Sequence, residues 1–132
     1  MKRSLTRLAT LFAAVAMVCG CESNNERVRR VIRETVDSVT PKAILQAADV
    51  LDTRHVDSGE TLIPLDTLPA SLAAFEPVEA HYLMSGSYLI VTAKWVSHRS
   101  GFRIAAPGEL IPTSTKYLTY EKLADRIYLY QD

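Results

Sequence analysis

Residues 78–97 read VEAHYLMSGSYLIVTAKWVS, and the fold class turns on them. Two runs rich in β-branched and aromatic residues, 78–85 and 88–97, flank Gly86-Ser87. Glycine first in a two-residue loop suits a type II′ turn, where φ is positive, so the stretch predicts a β-hairpin. The register set by that turn puts Met84 opposite Leu89, Tyr82 opposite Val91, Ala80 opposite Ala93 and Val78 opposite Trp95 on one apolar face. The other face pairs Glu79 with Lys94 and His81 with Thr92, beside Leu83 and Ile90. A slip by one residue would mix the two sets, so turn chemistry and side-chain pattern agree.

Downstream, the loop His98-Arg99-Ser100-Gly101 leads to a third strand over 102–106. Pairing Trp95 with Ile104 keeps the apolar face together and keeps Lys94 away from Arg103. Pro107-Gly108 ends that strand. Residues 126–130 alternate again and are expected to return to the sheet, while 116–120 reads as a further short strand or a crossing loop. Upstream, 52–69 is loop-like, with Asp57-Ser58-Gly59, Pro64 and Pro69; Pro69 can open a helical turn through Phe75 that Pro77 ends.

Two helices are expected before that loop. Ser23-Asn24-Asn25-Glu26 has the capping-box form, and Val28, Val31, Ile32, Thr35, Val36 and Val39 recur at helical spacing. Glu26 with Arg30, Arg30 with Glu34, and Arg33 with Asp37 are pairs four residues apart on the polar side. Thr40-Pro41 reads as an N-cap followed by proline at the first helical position, starting a second helix with Ala43, Ile44, Ala47, Ala48 and Leu51 inward; a single kinked helix is the alternative. Helices first and strands afterwards make the fold α+β: one or two N-terminal helices, then a small antiparallel sheet of about 3–5 strands.

The first twenty-one residues bear on location. Lys2, Arg3 and Arg7 precede an apolar run over 8–18, which closes on Val18-Cys19-Gly20-Cys21. Eleven residues make roughly 16 Å of helix, about half of a hydrocarbon core, so a permanent span is not expected. The segment resembles a bacterial secretory signal ending in a lipobox, with Cys19 a departure at the second position. That resemblance implies a signal peptide over 1–20 and a single lipid-anchored globular domain over 21–132. It also implies diacylglyceryl and acyl (palmitate-type) chains at Cys21, the lipid-attachment residue. Glu22 follows the cysteine, where aspartate is the familiar inner-membrane retention signal of enteric bacteria. The implied address is therefore the periplasmic face of an outer membrane, where the cell has two membranes.

Cys19 and Cys21 are the only cysteines, so the exported domain is expected to stand on its core without a disulfide. The whole chain is neutral at 15 basic against 15 acidic residues. Losing Lys2, Arg3 and Arg7 would leave it about three charges negative, which argues against a nucleic-acid partner. Arg27, Arg29, Arg30 and Arg33 could meet anionic headgroups beside the anchor, but the interspersed carboxylates favour a paired, solvated helix face.

Catalytic patterns are sparse. His55, His81 and His98 are the three histidines, without His-x-x-x-His or Cys-x-x-Cys spacing, so no metal ligands are assigned. Ser85 or Ser87 beside a histidine is conceivable, but there is no Gly-x-Ser-x-Gly elbow, and no phosphate-binding glycine loop. Ser85-Gly86-Ser87-Tyr88 is one residue shorter than the Ser-Gly-x-x-Tyr loop of the small envelope lipoproteins that inhibit C-type lysozyme, and no role carries over. The pattern resembles that of small uncharacterised bacterial lipoproteins. The expectation is a non-enzymatic envelope lipoprotein without cofactor, meeting the membrane through its anchor and an envelope protein, peptidoglycan or a small ligand through its sheet or loops. The alternative is a small hydrolase or transferase whose site assembles only on folding.

Overall fold

The computed structural model describes residues 22–51, 61–83, 85–111 and 114–132. Residues 1–20, Cys21, His55, Asp57-Ser58-Gly59 and Met84, on which several expectations rest, lie outside the described residues. Helix α1 (Asn24–Val39) starts as its sequence dictates: the Ser23 hydroxyl accepts the Glu26 amide at 3.2 Å. Ile32 and Val36 are buried, and Val28 and Val39 pack beside them, whereas Val31 is left half-exposed. Thr40 then serves both helices. Its amide closes α1 onto the Val36 carbonyl, its φ of 82° breaks the helical path, and its hydroxyl caps α2 (Pro41–Asp49) through the Ala43 amide. That positive φ makes two helices rather than one kinked one. Ile44, Ala47, Ala48 and Leu51 are buried as the spacing predicts.

Strand β1 (Thr61–Leu62), a 3₁₀ turn over 65–67 and the short α3 (Ala70–Ala73) follow. Strands β2 (Glu79–Tyr82), β3 (Tyr88–Lys94), β4 (Arg99–Ile104), β5 (Thr119–Ala124) and β6 (Ile127–Gln131) complete a six-stranded antiparallel sheet in the order β1-β2-β3-β4-β6-β5. The α+β class holds, with a larger sheet than the expected 3–5 strands. The additional strand is β1, two residues long inside a segment whose prolines read as loop.

The hairpin forms, but in another register. His81 pairs with Leu89 and Tyr82 with Tyr88, three residues away from the expected pairing, and the turn spans 83–87. Within it Leu83 donates to the Ser87 carbonyl and Gly86, at φ 86°, donates to the Leu83 carbonyl. An odd shift swaps the faces of one strand against the other. Ala80, Tyr82, Tyr88 and Ile90 therefore face the helices together with Phe102, Ile104, Ile127 and Leu129. Leu89 and Val91 point the other way, into a second cluster with Tyr130 that Leu83, Leu118 and Tyr120 flank. Trp95 lies outside both clusters, at 36% exposure.

Ile104 likewise pairs with Tyr88 instead of Trp95. Lys94 ends up opposite Arg99, a like-charge pairing made tolerable because each has its own carboxylate: Lys94 donates to Glu79 and Arg99 to Asp132. Both faces of β3 are covered, and this explains why alternation misled: Tyr88, Leu89, Ile90 and Val91 are all buried, so no polar residue marks the outward side.

Gly101 sits opposite Val91, beside the bulge between Val91 and Ala93. A Cβ there would lie 1.8 Å from the Ile90 carbonyl oxygen, so backbone has taken the space of a side chain. Gly101→Ala is expected to lower unfolding free energy by about 3 kcal/mol or more, at or beyond the upper end for core overpacking, because the obstacle is backbone. Urea unfolding measures it; a change below about 0.5 kcal/mol would mean β3 yields freely.

Candidate functional site

The first turn of α1, the β3–β4 loop and the ends of β5 and β6 meet at one end of the sheet. The Trp95 amide donates to the His98 carbonyl at 2.7 Å and closes the β3–β4 loop. Pairing of β4 with β6 carries Asp132 to the same place, where its carboxylate accepts the Arg99 amide at 2.6 Å and Arg99 Nε at 3.1 Å. The Tyr130 hydroxyl donates to the same carboxylate and accepts Arg99 Nη2 at 3.2 Å, with the guanidinium 5.9 Å from the ring centroid. His98 Nδ1 donates to the Asp132 backbone carbonyl at 3.1 Å, which leaves an exposed imidazole at the rim.

Two clefts open here side by side, sharing Asn25 and His98. The larger, about 530 Å³, is walled by Asn25, His98, Lys116, Tyr117, Thr119 and Gln131. The shallower, about 260 Å³, lies between Ser23, Asn24 and Trp95. Their walls offer amide, hydroxyl, imidazole and ammonium groups, a set suited to recognising polar or anionic groups.

Electrostatics set the firmness of this end. Burial works to raise the Asp132 carboxyl, but hydrogen bonds from Tyr130 and Arg99 outweigh it and hold the group below the usual aspartate range. Burial, then the Asp132 carboxylate, push the Tyr130 phenol far above its ordinary value. The cluster is thus a fixed ion pair with a neutral phenol, and it locks the last strand to β4.

Three further polar groups have structural partners. On the sheet face away from the helices, Arg103 donates to the Tyr120 hydroxyl at 2.9 Å and to Glu109, which also accepts the Ala106 amide at 2.9 Å. That knot holds the chain leaving β4 against the sheet, and Leu118 packs there as well. The sheet face away from the helices, one of the surfaces expected to meet a partner, is therefore covered in part by this connection. At the start of β2, Glu79 bridges Lys94 and His81 (2.9 Å); those two hydrogen bonds, Lys94's first, hold its carboxyl below the usual range. On α1, Arg30 forks onto Glu22 at 2.9 and 3.1 Å and reaches Glu34 at 3.3 Å, while Arg29 and Arg33 meet Glu121 of β5. Of the expected pairs four residues apart only Arg30–Glu34 forms among the described residues; Arg30 takes Glu22 in place of Glu26, and Arg33 reaches across to Glu121 of β5 instead of Asp37.

Of the candidate catalytic residues singled out in the sequence, only His98 is described at the clefts. His81 stays on β2 between Leu62 of β1 and Leu89 of β3, and Ser85 and Ser87 bond each other at 2.8 Å, with Ser85 3.4 Å from Arg103. Arg99, Asp132, Tyr130 and the cleft walls gave no local signal, because they converge from separated strands. Among the described residues no cluster of histidine, cysteine, aspartate or glutamate is arranged to hold a metal ion, and no helix is long and apolar enough to cross a membrane. Comparison with known protein families, curated proteins and solved structures finds nothing that matches this chain.

The lowered Asp132 carboxyl has a signed consequence. A group depressed on folding contributes stability above its unfolded value, near 3.9 for aspartate, and that stability is lost as pH falls through the folded value. Asp132→Asn is expected to cost about 1–2 kcal/mol at neutral pH, in the range for charged hydrogen bonds that water partly screens. Melting curves of the two proteins should converge as pH drops below the aspartate range; a constant gap at all pH values would show that the carboxylate charge is not what matters.

Proposed function

We propose that the chain is a lipid-anchored, non-enzymatic binding module of the cell envelope. The observation that carries this is Val18-Cys19-Gly20-Cys21, a lipobox-like sequence standing just before the Ser23 cap of α1. With lipid on Cys21, the domain begins folding two residues from the bilayer, with no linker between anchor and helix. Two or three acyl chains are needed for lasting attachment, since one chain binds only marginally.

The described domain fits a binder better than a catalyst. Ser85 and Ser87 are spent on each other and on Arg103, and His98 is oriented by a backbone carbonyl, so no nucleophile stands beside a base there. The mixed polar clefts offer recognition chemistry, for an envelope protein, peptidoglycan or a small ligand. The competing hydrolase or transferase reading would need His98 to act on a group brought by the substrate itself.

Cys21→Ser tests the anchor. The wild-type protein is expected in the detergent phase after Triton X-114 partition, with a blocked, acylated N-terminal cysteine by mass spectrometry; the serine variant is expected in the aqueous phase. Continued detergent partition by the variant would overturn the reading.

A further inference from the structure

We infer that the end of the domain bearing the two clefts docks on the phospholipid surface, with Trp95, Val96 and Tyr117 entering the interfacial layer. The inference deepens the proposed function and rests on anchoring at Cys21. Two residues of chain reach at most about 7 Å, so an anchor at position 21 must lie that close to Ser23. Ser23 and Asn24 form one wall of the shallow cleft and Trp95 the other. An anchor at Cys21 would therefore bring the β3–β4 loop, which lines the same cleft as Ser23, within reach of the bilayer surface.

What the loop presents suits that surface. Trp95 is more than a third exposed, Val96 is fully exposed, and Tyr117, across the larger cleft, is 77% exposed. Three solvent-facing apolar or aromatic side chains at one end of the domain carry a cost in water that a headgroup layer removes. Tryptophan and tyrosine prefer that layer, where the ring is greasy and the N–H or O–H stays wet. Lys116, its ammonium 5.5 Å from the Tyr117 ring centroid, adds a cation able to reach phosphate while its stem lies along the apolar surface. Between them, Asn25 and His98 supply polar groups at headgroup level. By contrast, Arg29, Arg30 and Arg33 are engaged with Glu22, Glu34 and Glu121. Docking by loop tips rather than by the arginine-rich helix face is what this charge pairing favours.

Trp95 is the only tryptophan in the chain, so its fluorescence reports this contact alone. The full lipidated protein is reconstituted into phosphatidylethanolamine–phosphatidylglycerol vesicles, with and without brominated acyl chains, beside soluble Cys21→Ser protein. The expected result is a blue-shifted emission maximum for the anchored protein and strong quenching by the brominated lipid. Val96→Asp, a change at a fully exposed position, should keep detergent partition and circular dichroism but lose the shift and most of the quenching. Anchored protein whose Trp95 emission matches that of soluble Cys21→Ser overturns the docking while leaving the anchor intact. Wild-type protein that stays in the aqueous phase overturns the anchor reading and the docking with it.

Discussion

Ile90 and Phe102 face each other across β3 and β4, and both are wholly buried beneath the helices. Phe75 closes over Phe102 with ring centroids 4.3 Å apart, and Ile32, Val36, Ile44 and Leu72 fill the space around them. As far as the bulges at Val91/Ala93 and Lys122/Ala124, the orientations in the sheet follow from that pair, because strand side chains alternate with a period of two. Once Phe102 points to the helices, Arg103 and Gly101 must point away, and so must Leu89, Val91 and Tyr130 across the ladder. The second apolar cluster then requires cover of its own, which Leu118 and the Arg103–Glu109 knot provide.

Apart from the Arg103–Glu109 knot on the sheet face, three carboxylates tie neighbouring elements together. Glu121 ties β5 to α1, Glu79 ties β2 to β3, and Asp132 ties β6 to β4. The exposed Glu121 pairs contribute little stability singly. The value of the three ties lies in geometry, since they fix how the loops leave the strands. At the end where Asp132 is locked, the β3–β4 loop and Tyr117 are held apart around two clefts, beside the first turn of α1. A rigid sheet end thus presents an apolar and aromatic rim next to the position of the proposed lipid.

The parts of the fold readable in one dimension were those governed by local chemistry. Ser23 and Thr40 caps, Pro41 at a first helical position, the helical stripe through Ile32 and Val36, and the hairpin around Gly86 all depend on residues within a few positions of one another. The register of that hairpin was not readable, because β3 is buried on both faces and side-chain alternation does not mark its outward side. Strand β1 was hidden for another reason: two residues pairing with β2 carry no periodicity at all. In the candidate site, His98 stood out as a histidine in a turn, but its hydrogen bond to Asp132 spans 34 residues and nothing in either neighbourhood announces it.

What the sequence determined by itself, then, was the class of the domain and its helix boundaries, with an N-terminal segment whose resemblance to a lipobox supplies the proposed address. Capping, spacing and turn conformations act over one or two turns of chain, so composition and order suffice to specify them. Tertiary structure alone decided which residues face the helices, where the second core lies, and that the ends of α1, β4, β5 and β6 meet in one place. Those outcomes come from burying two faces of one sheet at once, and burial is a property of the packed chain that no local stretch of residues carries.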